Sequence, residues 1–305
     1  VIDPDEILRR IDALSKNDPP RNYLGASSIG DPCSRKLWLE FNKYVEPEQF
    51  PPRLLRLFQR GKNEELIFET HIYDLGIEII DSCTDQAGFK DGFFAGHGDG
   101  VYLIDGERVA SEMKTHSLKS FATLKRGQLR QTHPRHYAQC IVYAGKFDCA
   151  YALYMGVCKD NDELFIDVIP FNEVEYNEYL NKATYITTTD KPPERIAAKA
   201  SDFRCKFCHA HAVCWGLQMP RVNCRNCTSV AKEPINGKFI CEMNKELDKS
   251  GCCEHHSFSP YAMHDLQRWE PIEFFPEQRA VKYKKPDGTE IINGFKYIQS
   301  KDLKL

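Results

Sequence analysis

The chain has 305 residues, 42% of them hydrophobic and 28% charged, and a formal net charge of -3. That balance excludes a disordered, collagen-like or globally basic chain, and no segment is long and apolar enough to span a bilayer. Eight of the 13 cysteines crowd between residues 205 and 253, unlike a secreted disulfide framework, so metal or cluster ligation is the expectation.

The opening VIDPDEILRR lacks a signal-peptide pattern, and the expected location is the cytoplasm. DPDEILRRIDALS predicts an amphipathic helix with Asp3 or Asp5 at its start, and NDPPRN a loop. In SSIGDPCSRKLWLEF, Asp31 suits a cap, Pro32 a first turn, and Leu37, Trp38 and Phe41 one buried face. FPPRLLRLFQRGKNEELIFETHIYDLG predicts a long helix closed by Gly76. Its interior Gly61 costs about 1 kcal/mol against alanine, which close packing or function should justify.

The period then changes to two. IEIID predicts a short strand, residues 93 to 104 a longer one and 107 to 114 another. HPRHYAQCIVYAGKF returns to helical spacing, CAYALYMGV and ELFIDVIPF predict two strands joined by CKDNDE, and a helix near 172 to 187 precedes the linker-like TTTDKPPER. Beyond residue 216 the composition shifts to Cys, Asn, His and Gly, which reads as a small metal-held module, and VKYKKPDGTEIING predicts an exposed hairpin.

If Asp105-Gly106 forms a two-residue type I′ loop, Ile104 opposes Glu107, Asp99 opposes Glu112 and His97 opposes Lys114, all four on one face. Two acids with Cβ atoms roughly 4.5 to 5.5 Å apart repel, so something must compensate. Oxygen ligands from Asp99, Glu112 and the Met113 carbonyl suit Mg²⁺ or Mn²⁺, with Lys114 placed to steady or deprotonate a water. The alternative is a solvated face without metal.

Asp99 followed by Glu112-Met113-Lys114-Thr115 resembles the PD-(D/E)XK nuclease superfamily, with Gly98 in place of the proline. The order helix, three strands, helix, strand is similar to its α/β, restriction-endonuclease-like core. Gln139 and Tyr143, four apart in HYAQCIVYAG, resemble the QxxxY motif of the RecB-like branch, and Glu65 after Gly61 its first acidic motif, with Glu64 as the rival. The resemblance implies a metal held by Glu65, Asp99, Glu112 and Met113, water activation by Lys114, and strand positioning by Gln139 and Tyr143. His97 is an extra ligand or a neighbour.

Cys205, Cys208 and Cys214, with Cys33 far upstream, resemble the iron–sulfur branch of RecB-like nucleases, which includes CRISPR adaptation exonucleases and the AddB nuclease domain. This implies a [4Fe–4S] cluster on four thiolates; the alternative is zinc on the three C-terminal cysteines with His209 or His211. Cys224, Cys227, Cys241 and Cys252 resemble a zinc ribbon, with Cys253 or His255 as rivals for the last ligand. The acid-free stretch carrying Lys119, Lys125, Arg126, Arg130 and Arg135, with Arg60, suits a phosphate backbone.

The expected organisation is an N-terminal helix and linker (1–23), a nuclease domain (24–216), a zinc-ribbon-like module (217–260) and a C-terminal extension (261–305). The expected function is a Mg/Mn-dependent deoxyribonuclease, foremost an exonuclease in DNA processing, recombination or replication, in a bacterial or phage-infected cell. A structure- or site-specific endonuclease and a catalytically silent DNA-binding scaffold are the alternatives. DNA is the expected partner, with no membrane; a recombination or replication protein and homo-oligomerisation stay open.

Overall fold

A computed structural model describes residues 2–243, 247 and 252–305. None of the helices among them is long and apolar enough to cross a membrane. Helix α1 (Pro4–Leu14) begins as its sequence predicts, with Asp3 accepting the Asp5 N–H. After the two-residue strand β1 (Leu24–Gly25), α2 (Ser34–Phe41) starts later than expected. Asp31 folds back to accept the Cys33 N–H at 2.9 Å, and the Cys33 sulfur caps the helix by accepting from the Lys36 N–H at 3.4 Å. Leu37, Trp38 and Phe41 are buried as predicted, joined by Leu39 and Arg35. Helix α3 (Pro52–Asp74) has proline in its first turn and ends before Gly76, whose φ of +72° only glycine adopts readily.

Strands β2 (Glu78–Asp81), β3 (Gly88–Asp91), β4 (Phe94–His97), β5 (Gly100–Ile104) and β6 (Glu107–His116) follow. The single long strand expected over 93–104 is therefore two strands in two sheets: β4 pairs with β1 and β3, and β5 with β2 and β6. The break falls at Gly98, where a Cβ would lie 2.6 Å from the Phe147 ring, so the chain passes too close to that ring for a larger residue.

The short helices α4 (Leu118–Leu124) and α5 (Leu129–Thr132) lead into α6 (Pro134–Lys146), which crosses over to β7 (Tyr151–Cys158). β7 runs parallel to β6, as a helical crossover allows. β8 (Leu164–Pro170) and α7 (Glu173–Thr188) complete this part, and the main sheet has the order β2-β5-β6-β7-β8. The expected order of helix, three strands, helix and strand is present as α3, β2, β5, β6, α6 and β7, in a mixed α/β molecule with several sheets. Alternation sends Ala110, Ala152 and Tyr154 toward Ala138, Ile141 and Val142 of α6, and Val109, Met113, Leu153 and Met155 toward Phe68 and Ile72 of α3. β7 is covered on both faces, so it reads as an almost unbroken apolar run. Each fully buried large aliphatic side chain contributes about 1.5–3 kcal/mol.

Downstream lie α8 (Phe203–Lys206), α9 (His211–Cys214), the hairpin β9 (Val230–Glu233) and β10 (Lys238–Cys241), α10 (Pro260–Gln267), and a sheet of β11 (Glu270–Phe275), β12 (Ala280–Lys284) and β13 (Glu290–Asn293). The hairpin expected around 281–294 is β12–β13, but β12 is the central strand and buries Val281 and Tyr283 against Phe258, Met263 and Trp269. This region is bonded to the N-terminal part. Arg225 donates to the carbonyls of Phe41 and Asn22, Asn223 to that of Lys43, and Arg35 pairs with Asp265.

Candidate active site

Asp105 and Gly106 both have positive φ, 52° and 85°, as a type I′ turn requires. The hairpin keeps the predicted register from Ile104 opposite Glu107 to Gly100 opposite Ser111. One residue further, Asp99 leaves the strand and turns its carboxylate back over β6. Its Oδ2 accepts the Met113 N–H at 2.9 Å and the Lys114 ammonium at 3.3 Å. Glu112 and Lys114 share that face because strand side chains alternate, while Met113 points into the core against α3. The Lys114 ammonium also pairs with Glu112 and donates to the Met113 carbonyl at 2.9 Å.

Glu112 is only 1% exposed, and neither of its carboxylate oxygens receives a well-formed hydrogen bond from the described residues. Burial, with the charges of Asp99 and Glu65 added, pushes its carboxyl up to about 8 against the opposing pull of Lys114. Lys114 is held as an ammonium well above its usual range: burial opposes this, and Asp99 and Glu112 more than offset it. Glu65 reaches the same pocket from α3 and is pushed up to about 7 by burial and then by Asp99.

The pocket has a volume of about 550 Å³ and is also lined by Gln139 and Tyr143, both buried on α6. Burial, then the Glu112 charge, raises the Tyr143 hydroxyl, which Gln139 hydrogen-bonds. Glu65 lines the pocket, whereas its rival Glu64 does not. A Cβ on Gly61 would meet nothing within 4 Å, so close packing does not account for that glycine. The register expected for His97 is overturned: it pairs with Gly88 in the other sheet instead of opposing Lys114. It still borders the pocket. Arg21, Tyr23, Ser27 and Lys62 line the pocket too and were not singled out: Arg21 and Tyr23 lie in a loop and Ser27 in a 3-10 turn, with no motif around them, while Lys62 lies on α3 inside the Gly61–Glu65 motif as a residue the motif does not specify.

The basic stretch stands apart from this pocket. Lys125 pairs with Glu163 at 2.8 Å, Arg130 with Glu175 at 2.5 Å, and Arg60 donates to the Lys159 carbonyl at 3.1 Å. Lys119, Arg126 and Arg135 are exposed. The cations lining the pocket are Arg21, Lys62 and Lys114. A larger cavity of about 630 Å³, beside α10 and β11, is lined by none of these groups and takes two of its four acids, Glu270 and Glu273, from an exposed edge strand.

Cys33, Cys205, Cys208 and Cys214 line one pocket of about 360 Å³. Arg35 Nε donates to the Cys214 sulfur at 3.2 Å, and the Lys36 N–H to that of Cys33. His209 turns to Glu40 at 3.3 Å, and His211 Nε2 faces the Ala200 carbonyl at 3.0 Å. Cys224 and Cys227 flank a single 3-10 turn and Cys241 ends β10. Cys253 is within electrostatic reach of Cys227, and Cys252 and His255 are half-buried nearby in the chain. Residues 244–246 and 248–251 of the expected ribbon lie outside the described residues. Among the described residues, no group of three or more His, Cys, Asp or Glu side chains is arranged to hold a metal ion as they stand.

No family model matches the chain, and no curated protein sequence does. Among solved structures, an alkaline exonuclease (LHK-Exo) from Laribacter hongkongensis overlaps it with 13% identity and a TM-score of 0.41, over 58% of this chain and 90% of that one. LHK-Exo in complex with dAMP gives 14%, 0.39, 54% and 86%, and the protein SSO0001 gives 13%, 0.38, 69% and 94%, in the same order. Values this low assign neither a fold nor an activity.

Proposed function

We propose that this chain is a metal-dependent deoxyribonuclease, working foremost as an exonuclease. The observation that carries the reading is the buried Glu112 carboxylate, paired with Lys114 and under the charges of Asp99 and Glu65, beside a pocket lined by Glu65, Asp99, Lys114, Gln139 and Tyr143. Buried acids brought together fit a divalent cation, and in this arrangement the Lys114 ammonium supplies the positive charge between them. Asp99, Glu112 and Glu65 would hold Mg²⁺ or Mn²⁺. The Met113 carbonyl, which accepts from Lys114 at 2.9 Å, would be a further oxygen ligand.

A bound divalent cation supplies Lewis-acid polarisation of a phosphate and a lowered pKa for a coordinated water. The chain's own residues do the rest. Lys114, released from the carboxylates, keeps its proton and donates toward the phosphate oxygen or orients the water, offsetting developing negative charge. Gln139 and Tyr143 present an amide and a hydroxyl from α6 to position the strand. Arg21 and Lys62 flank the entrance as phosphate contacts, with the exposed Lys119, Arg126 and Arg135 further out.

We assign Cys33, Cys205, Cys208 and Cys214 to a [4Fe–4S] cluster, with zinc as the alternative, because their sulfurs share a pocket and two already accept N–H donors. Cys224, Cys227, Cys241 and either Cys252 or Cys253 are proposed zinc ligands. Iron, sulfide and zinc analysis of anaerobically purified protein tests both assignments.

The function is tested by timed digestion of end-labelled single- and double-stranded DNA with Mg²⁺, Mn²⁺ or EDTA. Asp99→Asn and Lys114→Ala are expected to lower cleavage by about a hundredfold each. Undiminished cleavage removes these residues from the chemistry. A covalently closed circle separates an exonuclease, which leaves it intact, from an endonuclease, which nicks it.

A further inference from the structure

Beyond Lys114, β6 continues on the same face to His116, and there the structure holds a polar chain that the pocket chemistry leaves unused. Ser120 Oγ of α4 lies 3.0 Å from His116 Nδ1 and 3.0 Å from His133 Nε2. The Tyr154 hydroxyl of β7 lies 2.7 Å from His116 Nε2 and 2.9 Å from His136 Nδ1. His116 and Tyr154 are almost fully buried. On α6, His136 precedes Gln139 and Tyr143 by one and two turns on the same face. On the sheet, Tyr154 sits opposite Glu112 and within electrostatic reach of Lys114.

We propose that the hydrogen-bond chain His133–Ser120–His116–Tyr154–His136 is a positioning device for the nuclease site, with the Tyr154 hydroxyl as the joint that fixes α6 over the catalytic strand. This rests on the nuclease reading. Each hydroxyl has one proton, so it donates to one imidazole and accepts from the other, and only two concerted proton orders satisfy all four contacts. His133 Nδ1 decides between them. It is buried and has no partner among the described residues, and an orphaned N–H there costs more than a bare lone pair.

The favoured order therefore puts the proton of all three imidazoles on Nε2. His133 donates to Ser120, Ser120 to His116, His116 to Tyr154 and Tyr154 to His136. Burial, together with the Lys114 cation nearby, holds His116 down to about 4 and His136 to about 3, so the rings stay neutral at ordinary pH. Gly156 packs beside the joint: a Cβ there would lie tightly against Leu124 at 3.2 Å and in ordinary contact with the His116 ring at 3.5 Å.

The test has two independent readouts. Nitrogen NMR of ring-labelled protein is expected to show the Nε2–H tautomer at His116, His133 and His136. In single-turnover cleavage, Tyr154→Phe is expected to lower the rate about tenfold, with KM changed by less than about twofold and the melting temperature little moved. His116→Gln, whose amide nitrogen replaces Nε2, is expected to retain more activity than His116→Asn, whose amide replaces Nδ1. Equal rates for wild type and Tyr154→Phe, or a proton on Nδ1 of His116 or His136, overturn the proposal. Absence of cleavage by the wild-type protein overturns the nuclease reading instead, and the tautomers then decide the hydrogen-bond chain alone.

Discussion

Glu112 concentrates the electrostatic conflict of the molecule in one carboxyl group. Its raised pKa, about 8 in the folded chain against about 4.3 for a free side chain, means that the folded state binds the extra proton between those values. Stability is therefore fully present below the lower value and falls as pH rises toward 8. Metal-free protein is expected to lose stability to urea between pH 5 and pH 8, and Glu112→Gln to flatten that slope. Divalent cation affinity is expected to rise over the same window, and titration calorimetry at several pH values checks it. The hairpin that brings Asp99 near Glu112 was legible because it is local: Asp105-Gly106 sets the turn and alternation carries the register as far as Gly100 opposite Ser111, where Asp99 leaves the strand. His97 was not, because the chain changes sheets between His97 and Gly100, and pairing with Gly88 of a separate sheet leaves no mark on local periodicity.

Helix α6 is the element on which the site depends, since it brings Gln139, Tyr143 and His136 over the sheet. Its approach is set by the loop before α2. A Cβ on Gly30 would sit 2.7 Å from the Ala138 Cβ and 2.7 Å from the Arg135 Cα. Gly30→Ala is expected to push α6 outward, costing about 1–3 kcal/mol and lowering cleavage well beyond what the stability loss explains. A shifted urea midpoint with an unchanged m-value, measured beside the cleavage rate, checks this. The helix itself was readable from its spacing. The start of α2 was misread because Asp31 spends its carboxylate on the Cys33 N–H and on Lys36, leaving the cap to a sulfur that capping preferences do not favour.

At the scale of the whole molecule, residues far apart in sequence are fastened to one another. Arg35 is 1% exposed and donates to the Cys214 sulfur, the Pro193 carbonyl and Asp265. Asp265→Ala leaves that guanidinium one partner short and is expected to destabilise the protein by about 2 kcal/mol, read from chemical denaturation. The tips of two hairpins also meet: a Cβ on Gly237 would lie 1.9 Å from the Gly92 carbonyl oxygen, at a φ of +58°. Composition alone marked a change near residue 216 but said nothing of these bonds, because long-range pairing is written in no local pattern. The Arg35–Asp265 pair spans 230 positions, so during synthesis the helix bearing Arg35 leaves the ribosome long before its carboxylate partner exists. That long-range pairing favours slow folding through distant contacts and makes chaperone dependence in a cell-free translation reaction its expected signature.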